Sequence, residues 1–407
     1  MRRVVVTGMG VVSPLGNSVP EFCKNLDAGV CGIGPITRFD TTDFAVKVAG
    51  EVQNFDPLCC MAKSEVRKTD LYTQYALAAA AQAVEQSGLA GHYPSGRLGV
   101  YIGSGCGGMG TMTEECAKLL KGGSKTVSPY FVTMMISNMA AGAVAIKYGA
   151  NGPCLPVVTA CATSSHAIGE AVRCIRHGYA DAIIAGGSEA PIIPLAVAGF
   201  TNCMALTQNG DPKTACTPFD ARRSGFVMAE GAGILALEEH QHAVDRGATI
   251  LAEVCGYGST CDAHHVTAPH PEAIHSAAAI RMALDEAGMD GARMYINAHG
   301  TSTPLNDRCE TVAIKQALGE RAYQALISSS KSMTGHMLGA AGGVEAIAAI
   351  HALTSGRIPP TIGYRDADPD CDLNYVPNHS VEAQVDLALS ISLGFGGHNA
   401  CLAFSRG

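Results

Sequence analysis

This chain of 407 residues is poor in charge: only 16% of it is Asp, Glu, Lys or Arg. Acidic residues outnumber basic ones by 36 to 28, for a net charge of -8, so nucleic acid is not an expected partner. None of the 16 cysteines forms a C-x-x-C pair, which removes zinc-ribbon and thioredoxin-like readings. Gly, Pro or a charge interrupts each apolar run short of a membrane span, so no membrane association is expected. The start, Met1-Arg2-Arg3-Val4-Val5-Val6, reads straight into a strand without the apolar core or cleavage site of a signal peptide. A cytoplasmic protein with reduced thiols is the expectation. No Walker Lys-Ser/Thr follows any Gly-rich loop. Gly103-Ser104-Gly105-Cys106-Gly107-Gly108 also departs from dinucleotide spacing, so its glycines are expected to serve close backbone packing.

What is present is apolar and alternating. Apolar residues make up 47% of the chain. Strand-like runs alternate with small-residue helices, the pattern of layered α/β folds. The order of motifs recurs once. Arg3–Gly10 matches Ala252–Ser259, each a strand running into a G-x-G turn. Leu98–Ser104 matches Met294–Gly300, and Val157–Ser164 matches Leu326–Gly335. Two similar halves follow, 1–250 and 251–407.

The segment Thr159-Ala160-Cys161-Ala162-Thr163-Ser164-Ser165-His166 carries the most chemistry. Leu155–Ala160 reads as a buried strand. Ile168, Ala171, Val172 and Ile175 then repeat at helical spacing, with Gly178 as a stop. Cys161 is placed at a strand-to-helix turn, where free N–H groups and the helix dipole favour a thiolate nucleophile. An inert core thiol is the ordinary fate of a cysteine, and two further segments weigh against it. Asn297-Ala298-His299-Gly300-Thr301-Ser302-Thr303-Pro304 puts a histidine at one strand end. Ser329-Ser330-Lys331-Ser332-Met333-Thr334-Gly335-His336 puts a lysine and a second histidine at another. If the halves are pseudo-symmetric, their strand ends meet and Cys161, His299 and His336 converge. Lys63, Arg67 and Lys68 form a local basic cluster opening a helical stretch. It reads either as a solvated face or as a docking patch for an acidic partner.

These motifs, with V-V-T-G-M-G-V-V-S-P-L-G at the start, G-G-S-E-A at 186–190, F-D-A-R-R-S-G-F-V at 219–227 and G-F-G-G-H-N at 394–399, resemble an elongating β-ketoacyl-acyl-carrier-protein synthase of the synthase II type. The resemblance runs end to end. It implies the thiolase-like layered αβαβα fold of two pseudo-symmetric halves. It also implies a decarboxylative condensation of malonyl-carrier protein with a Cys161-bound acyl chain in fatty-acid elongation. His299 and His336 would stabilise the enolate, and Lys331 would tune their protonation. The backbone N–H groups of Cys161 and Phe395 would form the oxyanion hole, and Phe395 would gate the thiol. Thr301 and Thr303 match residues holding the pantetheine arm. Cys106, Phe131 and Phe200 match the acyl tunnel, part of it at a homodimer interface. Lys63, Arg67 and Lys68 match the patch that docks acyl carrier protein. Met204 departs from the pattern, standing where some relatives carry a basic residue. Neither metal nor nucleotide cofactor is required by this chemistry. Some relatives hold a structural monovalent cation near the position of Glu345.

Three other readings stand beside this one. A polyketide or aryl-polyene ketosynthase would use the same residues. A Cys–His thioester hydrolase would use Cys161 with one histidine and leave the second histidine and Lys331 idle. A non-catalytic chain-length partner would lack the cysteine that is present here.

Overall fold

A computed structural model describes residues 2–407. Nine strands form its main sheet: β1 (Val4–Val12), β2 (Leu98–Gly103), β3 (Ala182–Glu189), β4 (Gly231–Glu239), β5 (Ala252–Cys261), β6 (Met294–Asn297), β7 (Leu326–Ser328), β8 (Leu387–Gly394) and β9 (His398–Ser405). Their order is β2-β3-β4-β1-β5-β9-β8-β6-β7. Read outward from the antiparallel β1/β5 seam, the two sides repeat. Each opening strand pairs antiparallel with the last strand of its series (β4 or β9), then comes another antiparallel pairing (β3 or β8), then a parallel one (β2 or β6). The fold is thiolase-like, with two pseudo-symmetric halves.

The opening strands show why the motif repeats. A register shift between Val6 and Gly8 puts a bulge at Thr7. The bulge changes the phase, so Val4, Val6, Met9 and Val11 all reach the same central core. Gly8 and Gly10 face the opposite layer, the helix α1 (Leu71–Ser87). A Cβ at Gly10 would lie 1.9 Å from the Ala79 carbonyl oxygen. In β5 the shift recurs between Val254 and Gly256, and a Cβ at Gly258 would lie 1.8 Å from the Ala279 oxygen. That oxygen belongs to α3 (Ile274–Ala287), the counterpart of α1. These glycines therefore lie inside strands, not in turns as expected. They let an alanine-rich helix sit directly on the sheet backbone.

Two helices make the middle layer: α2 (Thr163–Arg176) and α5 (Ala341–Ser355). Ile168, Ala171, Val172 and Ile175 pack there with Val344, Ile347, Ile350 and Leu353. Separate apolar clusters lie under α1 on one outer face, and under α3 and α4 (Pro304–Leu318) on the other. Helix, the β2-β3-β4-β1 side of the sheet, helix pair, the β5-β9-β8-β6-β7 side, helix is the αβαβα layering. Strands covered on both faces read as continuous apolar runs, and all nine residues of β1 are buried.

Two expectations need correction. Leu155–Ala160 is neither a strand nor buried, with Leu155 and Val158 about half exposed. Its approach to β2 is reduced to one bridge, with Val100 N–H on the Pro153 oxygen at 2.9 Å and Leu155 N–H on the Val100 oxygen at 3.0 Å. Pro153 and Pro156 have no N–H to extend a ladder. Secondly, Leu338–Ser355 is long and apolar enough to cross a membrane, yet 83% of it is buried inside the fold. It is a core segment, apolar all round because it is covered on every side.

Candidate active site

Cys161 lies in a single 3-10 turn, Ala160–Ala162, at the N-terminal end of α2. Ala160 has φ of 50°, a left-handed conformation that a side chain resists. The turn is braced by Thr159 N–H donating to Thr163 Oγ1 at 2.9 Å. Gly394, at the end of β8, is pressed against it. A Cβ there would lie 2.8 Å from the Thr159 oxygen and 3.2 Å from the Cys161 nitrogen. This close approach lets the next residue, Phe395, aim its backbone N–H at the Cys161 sulfur.

The thiol is buried, and burial pushes its pKa up to about 12, against the opposing charge of Lys331 and the Phe395 N–H. The expected resting thiolate is therefore not what the fold builds. Desolvation outweighs the helix end, and Cys161 is a protonated thiol at neutral pH.

His299 leaves the end of β6 and His336 follows the short helix Lys331–Thr334. Their ring centroids are 5.2 Å apart and the rings nearly perpendicular. Both are almost fully buried. Burial first, and the Lys331 charge second, hold both imidazoles well below 6.5, so both are neutral at pH 7. Lys331 Nζ lies 3.4 Å from His299 Nδ1. An ammonium can only donate, so Nδ1 is the acceptor and the His299 proton sits on Nε2. Lys331 is itself paired with buried Glu345. His336 Nδ1 is buried without a protein partner. His336 is held through its backbone, by Val227 at the end of the F-D-A-R-R-S-G-F-V stretch and by Ala229 just beyond it, and its ring meets Phe226 edge-on at 5.1 Å.

Cys161, His299, His336, Phe395, Thr301 and Thr303 all line one cavity of about 350 Å³. The two threonine hydroxyls lie 2.9 Å apart. Cys106 and Phe200 pack with Cys161 and Phe395 in one apolar cluster. Phe131 is not brought to it. It begins the short helix Phe131–Met135, a region whose Val132 and Ile136 are exposed. Lys63, Arg67 and Lys68 are exposed, and Lys63 sits in a four-residue helix separated from α1 by the capping Asp70. Lys68 lies over the Tyr130 ring. Met204 is 88% exposed at the cavity mouth, beside Cys203, a second thiol lining the cavity that sequence reasoning passed over.

Two buried carboxylates were also missed. Glu189, of G-G-S-E-A, accepts from Ser104 Oγ (2.8 Å) and from the N–H groups of Gly105 (2.8 Å), Cys106 (3.0 Å) and Gly339 (2.9 Å). It clamps the Gly-rich loop to the segment after His336. Glu310, on α4, accepts the His299 N–H at 2.6 Å and the Gly300 N–H at 2.8 Å, and burial pushes its pKa up to about 8. A lone buried Glu near a motif gives no periodic signal, so only its partners reveal it. Glu345 Oε2, Asn297 Oδ1 and Ser390 Oγ are buried without partners, and Asn297 and Ser390 are register partners on adjacent strands. These hard oxygen donors suit a monovalent cation rather than a transition metal.

Comparison with known proteins accords with this geometry. The Beta-ketoacyl synthase, N-terminal domain family matches residues 1–243, and the Beta-ketoacyl synthase, C-terminal domain family matches residues 251–365. The 3-oxoacyl-[acyl-carrier-protein] synthase 2 of Synechocystis sp. (strain ATCC 27184 / PCC 6803 / Kazusa) is 48% identical over 408 residues, covering 100% of this chain and 98% of that protein. The protein of the same name from Staphylococcus aureus (strain COL) is 48% identical over 407 residues, with the same coverage. Among solved structures, a type II PKS acyl-carrier protein in complex with its ketosynthase bound to the hexaketide aligns with a TM-score of 0.92 at 36% identity. That alignment covers 100% of this chain and 99% of the other.

Proposed function

Because this chain belongs to the β-ketoacyl synthase family, we propose a division of labour for its cavity in a condensing reaction. The protein is a 3-oxoacyl-carrier-protein synthase, an acyltransferase of the synthase II type that works in fatty-acid elongation. Acyl carrier protein is its partner. The observation that carries the residue assignments is the meeting of the buried Cys161 thiol, two neutral imidazoles and the Phe395 N–H on a single cavity.

In the first half-reaction the Cys161 sulfur attacks the acyl thioester. Its proton passes to the departing pantetheine sulfur, and the N–H groups of Cys161 and Phe395 hold the tetrahedral oxyanion. In the second, the malonyl C–C bond breaks, CO₂ leaves and the electron pair forms an enolate. Neutral His299 and His336 donate hydrogen bonds to the enolate oxygen, which an imidazolium would instead protonate. The enolate carbon attacks the acyl-Cys161 carbonyl, and the Cys161 sulfur leaves and regains a proton. Lys331 acts through His299, fixing its tautomer. Thr301 and Thr303 hold the pantetheine arm, while Cys106 and Phe200 line the acyl channel. Glu345, Asn297 and Ser390 would hold a structural monovalent cation, which brings charge compensation and no reaction step.

Three further assignments belong to this reading. The halves divide at 250/251, in the connection between β4 and β5. A homodimer forms through the region 101–160, where Leu120 (87% exposed), Ile146 (80%), Val132, Leu155 and Val158 leave apolar surface uncovered. Phe131 would then reach the channel across that interface. The exposed Lys63, Arg67 and Lys68 dock the acidic carrier. Higher identity to the fatty-acid synthases than to the polyketide ketosynthase favours the fatty-acid pathway. A hydrolase reading leaves His336 and Lys331 without work.

The test is mass spectrometry of the intact protein with acyl-carrier protein, then with malonyl-carrier protein. A stable acyl adduct on Cys161, discharged only by malonyl-carrier as a chain two carbons longer, supports the assignment. Discharge by water alone as free acid refutes it.

A further inference from the structure

A second cavity, of about 380 Å³, opens at the far end of the strands that carry the catalytic loops. Met294 begins β6, which ends at Asn297 just before His299. Leu326 begins β7, which ends at Ser328 just before Lys331. Both starting residues line this cavity, with Ala292, Arg293, Arg321, Gln324, Ala325 and Val385.

The charge here is unbalanced. Arg293 is neutralised by Asp386, at 2.9 Å and 2.8 Å through two nitrogens. Arg321 has no such partner. Its guanidinium forms no ion pair and no hydrogen bond among the described residues, and its Nη2 is buried. No Asp or Glu lines the cavity. A buried guanidinium nitrogen without an acceptor is costly, and native folds rarely leave one unsatisfied without a reason. The planar fork of arginine matches phosphate and carboxylate oxygens in pairs. Met294, Ala325, Leu326 and Val385 supply apolar wall beside it.

We propose that this cavity is a binding site for a small molecule with an oxyanion head, phosphate or carboxylate, and a short apolar tail. Arg321 holds the head, and the apolar wall covers the tail.

Isothermal titration of the full-length protein at constant ionic strength tests this with four probes: inorganic phosphate, butyl phosphate, valerate and butanol. The expected result is saturable binding of an anion with a tail, Kd on the order of 1 mM or tighter, with no binding of butanol. Butyl phosphate tighter than valerate assigns a phosphate head; the reverse assigns a carboxylate. Inorganic phosphate equal to butyl phosphate leaves the head in place but removes the tail from the proposal. Arg321→Gln should weaken binding roughly tenfold or more, the loss expected for a hydrogen bond to a charged group. Gln324→Glu changes an exposed residue isosterically, so folding is spared, and should abolish binding by placing a negative charge in the cavity. Absence of saturable anion binding overturns the proposal. So does an affinity unchanged in the folded Gln324→Glu protein, since the anion would then sit elsewhere.

Discussion

The two halves of this molecule share a scaffold and differ in what they hang on it. In each, an opening strand bulges and then lays two glycines against an alanine-rich helix. In each, a parallel strand end feeds the cavity. The first half delivers the buried Cys161 thiol, on a backbone turn that Ala160 strains and Gly394 compresses. The second delivers the titratable groups His299, Lys331 and His336, which Glu310 and Glu345 hold in place. The shared part is packing, where shape decides. The divergent part is electrostatics, where a few buried charges decide. A duplicated scaffold can thus bring a buried thiol and two neutral imidazoles to one cavity without moving either frame.

The largest expected effects separate the two chemistries. Cys161→Gln should abolish acyl-enzyme formation yet still release CO₂ from malonyl-carrier protein, because His299 and His336 remain. His299→Ala or His336→Ala should still accept acyl groups but lose decarboxylation by on the order of 10²–10³, the cost of removing one preorganised donor. Labelled CO₂ release beside intact-protein mass measures both. Equal losses of both half-reactions in all three variants would erase the contrast between the halves.

Next in size is a test of the shared scaffold. Gly10→Ala and Gly258→Ala each drive a methyl into a helix carbonyl oxygen. Overpacking of this kind costs about 1–3 kcal/mol, more if the helix cannot shift. Chemical denaturation should show similar losses for the two. A neutral result in one half would mean that its helix is free to move.

Acid should act through buried histidines of both halves, His166 in the first, where burial lowers the pKa to about 4, and His299 and His336 in the second. The folded values of His299 and His336 lie below the unfolded value of 6.5, so the unfolded chain binds more protons between the two. Stability therefore falls as pH drops below 6.5, until the folded values are reached. His336→Gln removes one such group, so its melting temperature should fall less than the parent's between pH 6.5 and 5. Parallel curves would mean that His336 does not resist protonation.

The smallest effect is expected at the rim. Reversing Lys63, Arg67 and Lys68 should raise KM for acyl-carrier protein several-fold and weaken its salt dependence, since rim charge acts on encounter. Turnover of small acyl-pantetheine thioesters should not change.

Most of the architecture was readable along the chain. Alternation of apolar runs and helical spacing located α2 and the strands before His299 and Lys331, because those patterns arise from local geometry. The weakest strand reading, Leu155–Ala160, failed on both counts, because an apolar run shows neither whether it is covered nor whether prolines leave enough donors for a ladder. The G-x-G pairs looked like turns because a glycine advertises conformational freedom. Their actual work is to give up space to Ala79 and Ala279, which no local pattern announces.

Residue type and spacing alone singled out Cys161, His299, Lys331 and His336 and put His299 and Lys331 just past strand ends, which is a matter of short-range backbone preference. The protonation of those groups was settled only when distant segments closed around them. Cys161 is a thiol, not a thiolate, because folding strips its water. Both imidazoles are neutral because they share a dry site with Lys331. Glu189 became a clamp only when Gly339, 150 residues away, arrived beside it. Desolvation and charge pairing depend on which atoms end up within a few ångströms, and that proximity is a property of the folded chain.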